Sequence, residues 1–200
     1  MELDLEGEHE SRGYALLVSL VTPRPIAWIT SVGVDGVVNA APFSFFNVLG
    51  SSPPIVGVCP GDRADGGPKD TARNIRQSHQ FVVNLVDEGL ADAMNRTAAS
   101  LPYGVSELEG SGLSTAPSSL VRPPRIQEAP ASLECQEWGT LQIGDNRLII
   151  GLVKRIHVRD ELYDPVTQRI RSERFAVIGR MASPSWYCRT GDRFEMQRPP

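Results

Sequence analysis

The triplet Lys69-Asp70-Thr71 follows a Gly- and Pro-containing loop at 61–68 and opens a segment of helical character. A helix start exposes unpaired backbone N–H groups and carries partial positive charge, so an ammonium and a hydroxyl placed there make a seat for a phosphate group. Asp70 is expected to cap this helix rather than touch the anion. The same three residues also describe a capped surface helix with no ligand, and on their own they do not separate the two readings. A second suggestive region reads TPRPIAWITS over 22–31 and NAAPFSFFN over 39–47. Rigid prolines, small alanines and clustered aromatics let backbone approach a flat ring while apolar side chains cover its face. Phe43-Ser44-Phe45-Phe46 serves equally as plain barrel core, the commoner use of such a run.

Other chemistries find no footing. His9, His79 and His157 are far apart, with no H-E-x-x-H pair, so no metal site is expected. The chain carries no G-x-S-x-G elbow, no G-x-x-x-x-G-K-[ST] phosphate loop and no Rossmann glycine fingerprint. Asp160, Glu161 and Asp164 cluster near Tyr163, but beside Pro165 they read as a solvated turn.

The elements that must position these residues are mostly strands. Ile26, Trp28 and Ile29 are β-formers, and Asp35-Gly36 before Val37-Val38 predicts a hairpin. Further strands are expected at 43–48, 55–59 and 81–86, each bounded by turn-forming residues, and again at 133–138 and 147–158. Helices are expected at 71–78, capped by Asp70, and at 88–98, capped by Asp87, with Leu90, Ala93, Met94 and Thr97 on one face. Between 100 and 130 proline, serine and glycine dominate, and Leu108, Leu113, Leu120, Val121 and Ile126 supply apolar anchors for a loop laid across the body. Many short strands with few helices indicate a barrel or sandwich, mainly β with short helices.

Two hundred residues with 40% apolar content suit one domain spanning 1–200. A net charge of -4 with interspersed signs gives no basic field for nucleic acid. The apolar run at 15–20 is too short for a bilayer, and the acidic start lacks a signal peptide's positive charge, so a cytoplasmic protein without membrane association is expected. Cys59, Cys135 and Cys188 suggest neither a disulfide framework nor a zinc site.

Taken in order, the motifs resemble one family. They are Pro23-Arg24-Pro25-Ile26-Ala27-Trp28-Ile29-Thr30, the stretch 39–47, Pro53-Pro54, Lys69-Asp70-Thr71 with Asn74-Ile75, and Phe81-Val82-Val83-Asn84-Leu85. The series continues through Met94-Asn95-Arg96-Thr97-Ala98, Glu107, Leu133-Glu134-Cys135 and Gly179-Arg180, covering about 14–187. The set is similar to the flavin reductase-like domain proteins, in particular their flavoredoxin-like branch.

This resemblance implies an FMN-binding split β-barrel, with FMN held noncovalently near the interface of a homodimer. It implies that Pro25, Ile26, Ala27 and Trp28 line the flavin, with Thr30 near the ribityl-phosphate arm. Ala41, Pro42, Phe43, Ser44, Phe45 and Asn47 match the stretch along the ring and its chain. Lys69, Asp70 and Thr71 match the phosphate segment, with Asn74 nearby, and Arg180 matches a basic position close to the flavin. Where many reductases of the family carry Gly-Asp-His, this chain has Gly144-Asp145-Asn146. Asn146 takes no cationic form, which bears on hydride acceptance from NAD(P)H and not on FMN binding. Three expectations follow: an NAD(P)H-dependent flavin oxidoreductase, an FMN electron carrier served by a protein electron donor or acceptor, or a scaffold without flavin acting as an interaction module.

Overall fold

The computed structural model describes residues 1–182 and 184–199. In chain order the elements are α1 (Gly13–Leu20), β1 (Arg24–Pro25), β2 (Ala27–Val32), β3 (Val38–Phe43), β4 (Phe46–Ser51), β5 (Pro54–Val58), α2 (Asp70–Ser78), β6 (Gln80–Asn84) and α3 (Ala91–Arg96). The short pair β7 (Thr115–Ala116) and β8 (Arg125–Ile126) precedes two long strands, β9 (Ala131–Ile143) and β10 (Asn146–Val158). Then come β11 (Tyr163–Asp164), β12 (Arg169–Ile170), β13 (Ile178–Arg180) and β14 (Tyr187–Arg189).

Seven strands form one antiparallel sheet in the order β3-β2-β6-β9-β10-β5-β4. The consecutive strands β3 and β4 therefore lie at opposite edges. In a flat sheet those edges would stand roughly 29 Å apart at ~4.8 Å per strand. The chain from Phe43 to Phe46 spans at most about 11 Å. The sheet must curl until its edges approach without pairing, which makes a barrel with one open seam. The continuous strand expected at 43–48 is thus broken: β3 stops at Phe43, and Ser44-Phe45 carry the chain over the seam to β4. Local alternation of aromatics hides this break, because closure is a property of the whole sheet.

The pleat assigns each face its own core. Ala27 and Ile29 point into the barrel with Phe43, Val56, Val58, Phe81, Val83, Cys135 and Ile149, and α2 plugs it with Ala72 and Ile75. Gly151, at a register shift in β10, lets the Phe81 ring approach the backbone where a Cβ would collide with it. Outside, Trp28 packs with Ile26, Val86, Met94, Ile126, Ala129 and Ile178. Thus Phe81 to Asn84 are buried in succession, one pair facing the barrel and the other facing the cover.

That cover is the segment 100–130, which does lie across the body. Ile126 is buried, but Leu120 is half-exposed, so apolar anchoring is only part of the hold. Hydrogen bonds do more: the fully buried Glu134 carboxylate accepts the N–H groups of Ser119 at 2.7 Å and Leu120 at 2.6 Å and meets His157 Nε2. Asn84 Oδ1 accepts Ile126 N–H at 2.9 Å, and Gln80 Oε1 accepts Arg122 N–H at 2.8 Å. Burial pushes the Glu134 pKa up, yet the Ser119 N–H, His157 and the Leu120 N–H outweigh it and leave the carboxyl below its ordinary value.

Both expected helices are present with altered starts. The region 88–98 holds a 3-10 turn, Glu88–Leu90, followed by α3, and Asp87 does cap it by accepting Leu90 N–H. Asp70 does not cap α2: Lys69 occupies the cap position, no side chain caps the helix, and Asp70 is its first residue. The Asp70 carboxylate turns instead to Arg63, whose Nη2 lies 2.9 Å from Oδ1. Arg24, also buried, donates to the carbonyls of Val18, Val21 and Met181, tying the end of α1 to the strand that follows. No described helix is long and apolar enough to cross a membrane.

Candidate flavin site

Beside the open seam lies a cavity of about 560 Å³. One wall is the edge strand β3, presenting Ala41, Pro42 and Phe43. Pro42 lacks an N–H for a ladder and is tolerated because β3 has a neighbour on one side only. The facing wall is the start of α2, with Lys69, Asp70 and Thr71, and the loop before it, with Asp62, Arg63 and Asp65. Thr97 and residues 98–101, running on from α3, close a third side with Glu107. Arg63 donates to the Leu101 carbonyl at 3.1 Å and so links two of these walls.

The inner face of α2 is unusually polar for a buried surface. Asp70, Thr71 and Asn74 are buried with Ala72 and Ile75 against β2 and β3. Asn74 Nδ2 donates to Ser31 Oγ at 3.2 Å, while its Oδ1 has no partner among the described residues. Asp70 Oδ1 sits close to Arg63 but at an angle too poor for a hydrogen bond. Lys69 Nζ has no carboxylate within ion-pair distance among the described residues and stands 5.6 Å from the centre of the Phe43 ring. Native interiors rarely leave polar groups so underused, and the uncapped helix start adds free N–H groups to them. The combination suits an anion next to an apolar surface.

Asn39 and Glu107 complete the wall. With its amide oriented to satisfy both neighbours, Asn39 donates to Glu107 Oε1 at 3.1 Å and accepts from Thr71 Oγ1 at 2.9 Å. Glu107 Oε2 accepts Ala40 N–H at 2.9 Å. Burial chiefly raises the Glu107 pKa, the Asp70 charge adds to this, and the Ala40 N–H and Arg63 oppose it without cancelling it.

The family model for the flavin reductase like domain matches residues 19–176. The chain belongs to this family. As a member of the flavin reductase-like family it is similar to nitrilotriacetate monooxygenase component B from Bacillus cereus, at 35% identity and TM-score 0.92 over 98% of each chain. It is also similar to the 2-nitrobenzoate 2-nitroreductase of Pseudomonas fluorescens, at 34% identity and TM-score 0.90, covering 100% of this chain and 96% of that one. A split barrel domain protein from Shewanella frigidimarina shares the fold at 18% identity and TM-score 0.84, with 100% of both chains covered.

Of the residues expected at a flavin reductase-like site, the structure gathers Ala41, Pro42, Phe43, Lys69, Asp70 and Thr71 around this one cavity. Asn74 lies one turn further along α2. Ile26, Ala27, Trp28 and Thr30 are buried within the body, the last three paired through β2 to the wall strand, with Trp28 opposite Pro42. Pro25, Ser44, Phe45, Asn47 and Arg180 lie outside the cavity lining. Ser44 meets Arg24, Phe45 stands 6.3 Å from the Tyr14 ring, and Asn47 turns to the Val48 N–H. The Arg180 guanidinium covers the Tyr187 ring, and its strand pairs Arg180 with Arg24. Asn146 is at the start of β10, where it donates to Asp145.

Asn39 and Glu107 stand among the motifs of the resemblance without an individual role, and Arg63 stands outside them. Glu107 falls in a stretch whose composition reads as loop, and only the fold carries it to β3.

Proposed function

We propose that this protein binds FMN in the cavity beside the seam and acts as an NAD(P)H-dependent flavin oxidoreductase. The observation that carries this reading is one cavity joining an apolar strand edge to an uncapped helix start furnished with Lys69 and Thr71. Its volume of about 560 Å³ lies in the usual range for sites that bury small ligands. Ala41, Pro42 and Phe43 would face the ring, while Lys69, Thr71 and the first N–H groups of α2 would hold the phosphate. Bound FMN would supply hydride acceptance, and the chain supplies orientation and a water-poor face. The likeness to a monooxygenase component and to a nitroreductase, each above one-third identity, favours an enzyme over a bare scaffold.

A second reading is an electron carrier reduced by a protein donor. Asn146 favours it, since no imidazole stands at that position to assist a nicotinamide. Adding FMN to purified protein and following NADH or NADPH consumption separates the two. Turnover above the protein-free rate supports the reductase, and retained flavin with no turnover from either donor supports the carrier.

The homodimer belongs to the same proposal. Tyr14, Leu17 and Leu20 on α1 and Phe45, Val48 and Leu49 around the edge strand β4 are all exposed, and the Tyr14–Phe45 contact makes them neighbours. Monomers rarely leave so much contiguous apolar surface in water. Light scattering on the eluting protein should give twice the chain mass of 21.8 kDa.

A further inference from the structure

The proton inventory of one buried relay carries a further inference, which rests on reading the cavity as the FMN site. Asn39 lies between Thr71 and Glu107, with one end of its amide 2.9 Å from Thr71 Oγ1 and the other 3.1 Å from Glu107 Oε1. When Glu107 is ionised, only one arrangement satisfies every group. Asn39 N–H donates to Glu107, and the Asn39 oxygen accepts from Thr71 O–H and from Ala40 N–H at 3.2 Å. The single hydroxyl proton of Thr71 is then spent inward. Only lone pairs face the cavity, and they repel a phosphate oxygen.

Protonating Glu107 reverses the chain. The new carboxyl O–H donates to the Asn39 oxygen, the amide turns over, and its N–H donates to Thr71 Oγ1 at the distance already present. Thr71 O–H is released to point at the ligand. Apart from the amide's half-turn, no group has to move.

We propose that Glu107 is a positioning residue that takes up one proton from solvent when a phosphate monoester binds, acting on Thr71 through Asn39. The charge around the cavity points the same way. Asp62 is neutralised by its paired Arg147, which leaves Asp65, Asp70 and Glu107 facing Arg63 and Lys69. A dianion entering that surplus of carboxylates gains when one becomes neutral. The groups facing Glu107 are Asp70 from α2, Arg63 from the preceding loop and the Ala40 N–H from β3, and burial already favours the neutral form. A bound dianion favours it further, so binding and proton uptake are linked, and affinity falls as pH rises.

Calorimetric titration of FMN into the apoprotein, in two buffers of different ionisation enthalpy, counts the protons exchanged. At pH about 7.5 the free monoester is already dianionic, its second pKa being near 6. Wild type should take up more protons per FMN than Glu107→Gln, by a difference approaching one, whereas riboflavin should show no difference between the two. Wild-type affinity should weaken as pH rises, by at most about tenfold per pH unit. Glu107→Gln, whose amide donates permanently to Asn39, should stay flat. Equal proton counts in the two proteins overturn the inference while leaving FMN binding in place. Asn39→Ala keeps the carboxylate and cuts the relay, and serves where the glutamine variant fails to fold. If it retains the full wild-type uptake, Glu107 acts by charge alone and its positioning role is overturned. Folded wild type that binds no FMN sinks the cofactor reading itself.

Discussion

Trp28 Nε1 donates to Thr97 Oγ1 at 2.9 Å, and both residues are buried. The bond joins the strand behind the cavity wall to the residue from which the 98–101 wall departs. Thr97 in turn donates to the Met94 carbonyl at 2.7 Å. Thr97→Val therefore strands the indole N–H and should cost about 1–3 kcal/mol, the usual penalty for an unsatisfied buried donor. Urea unfolding measures the loss, and an unchanged midpoint would show that the bond contributes nothing.

Lys69→Ala and Thr71→Ala remove charge-assisted contacts from the proposed phosphate seat. Together they should weaken FMN binding by roughly 2–4 kcal/mol, the scale expected for such contacts. Riboflavin, which lacks the phosphate, should bind wild type and variant alike. Quenching of flavin fluorescence reads both, and a matching loss for riboflavin would place the effect on the ring instead.

Glu134 should give the cover segment an acid limit. Its folded pKa lies below the unfolded value, so its contribution is complete above the ordinary glutamate range of about 4.3 and is lost as pH falls through the folded value. Protection of the Ser119 and Leu120 amides against exchange, relative to their intrinsic rates, should fall at the acid end before that of the β6 amides. Glu134→Gln should do the same at neutral pH, because a carboxamide offers one acceptor oxygen where two N–H groups and an imidazole now converge.

Gly151→Ala tests the close approach inside the barrel. The added methyl would meet the Phe81 ring, and overpacking of this kind costs about 1–3 kcal/mol. A thermal melt as high as wild type would mean that the ring has room to move.

The sequence made the strand-rich class and the helix-start end of the cavity legible because both depend on local signals: β-formers between turn residues, and Lys69-Asp70-Thr71 at a helix start. It concealed whatever depends on partners distant along the chain. Asp70 looked like a cap because its actual partner, Arg63, sits in an irregular loop. The Asn39 amide reaches Thr71 across 32 positions, and Ala40 reaches Glu107 across 67, so neither pairing leaves a trace in spacing or composition. The stretch expected along the flavin ring is only partly gathered at the cavity for the same reason. Residues 27–30 and 41–43 belong to two paired strands, but only the second strand forms the cavity wall, because β3 is an edge and β2 is not.

Ser44 and Phe45 are the whole connection between the two margins of the seven-stranded sheet. Their shortness acts as a belt: it limits the girth of the cylinder and, in the same stroke, the reach of the strand that walls the cavity. A few glycines spliced in at this buckle would slacken both together, so that loss of ligand grip and a looser interior would arrive as a single event.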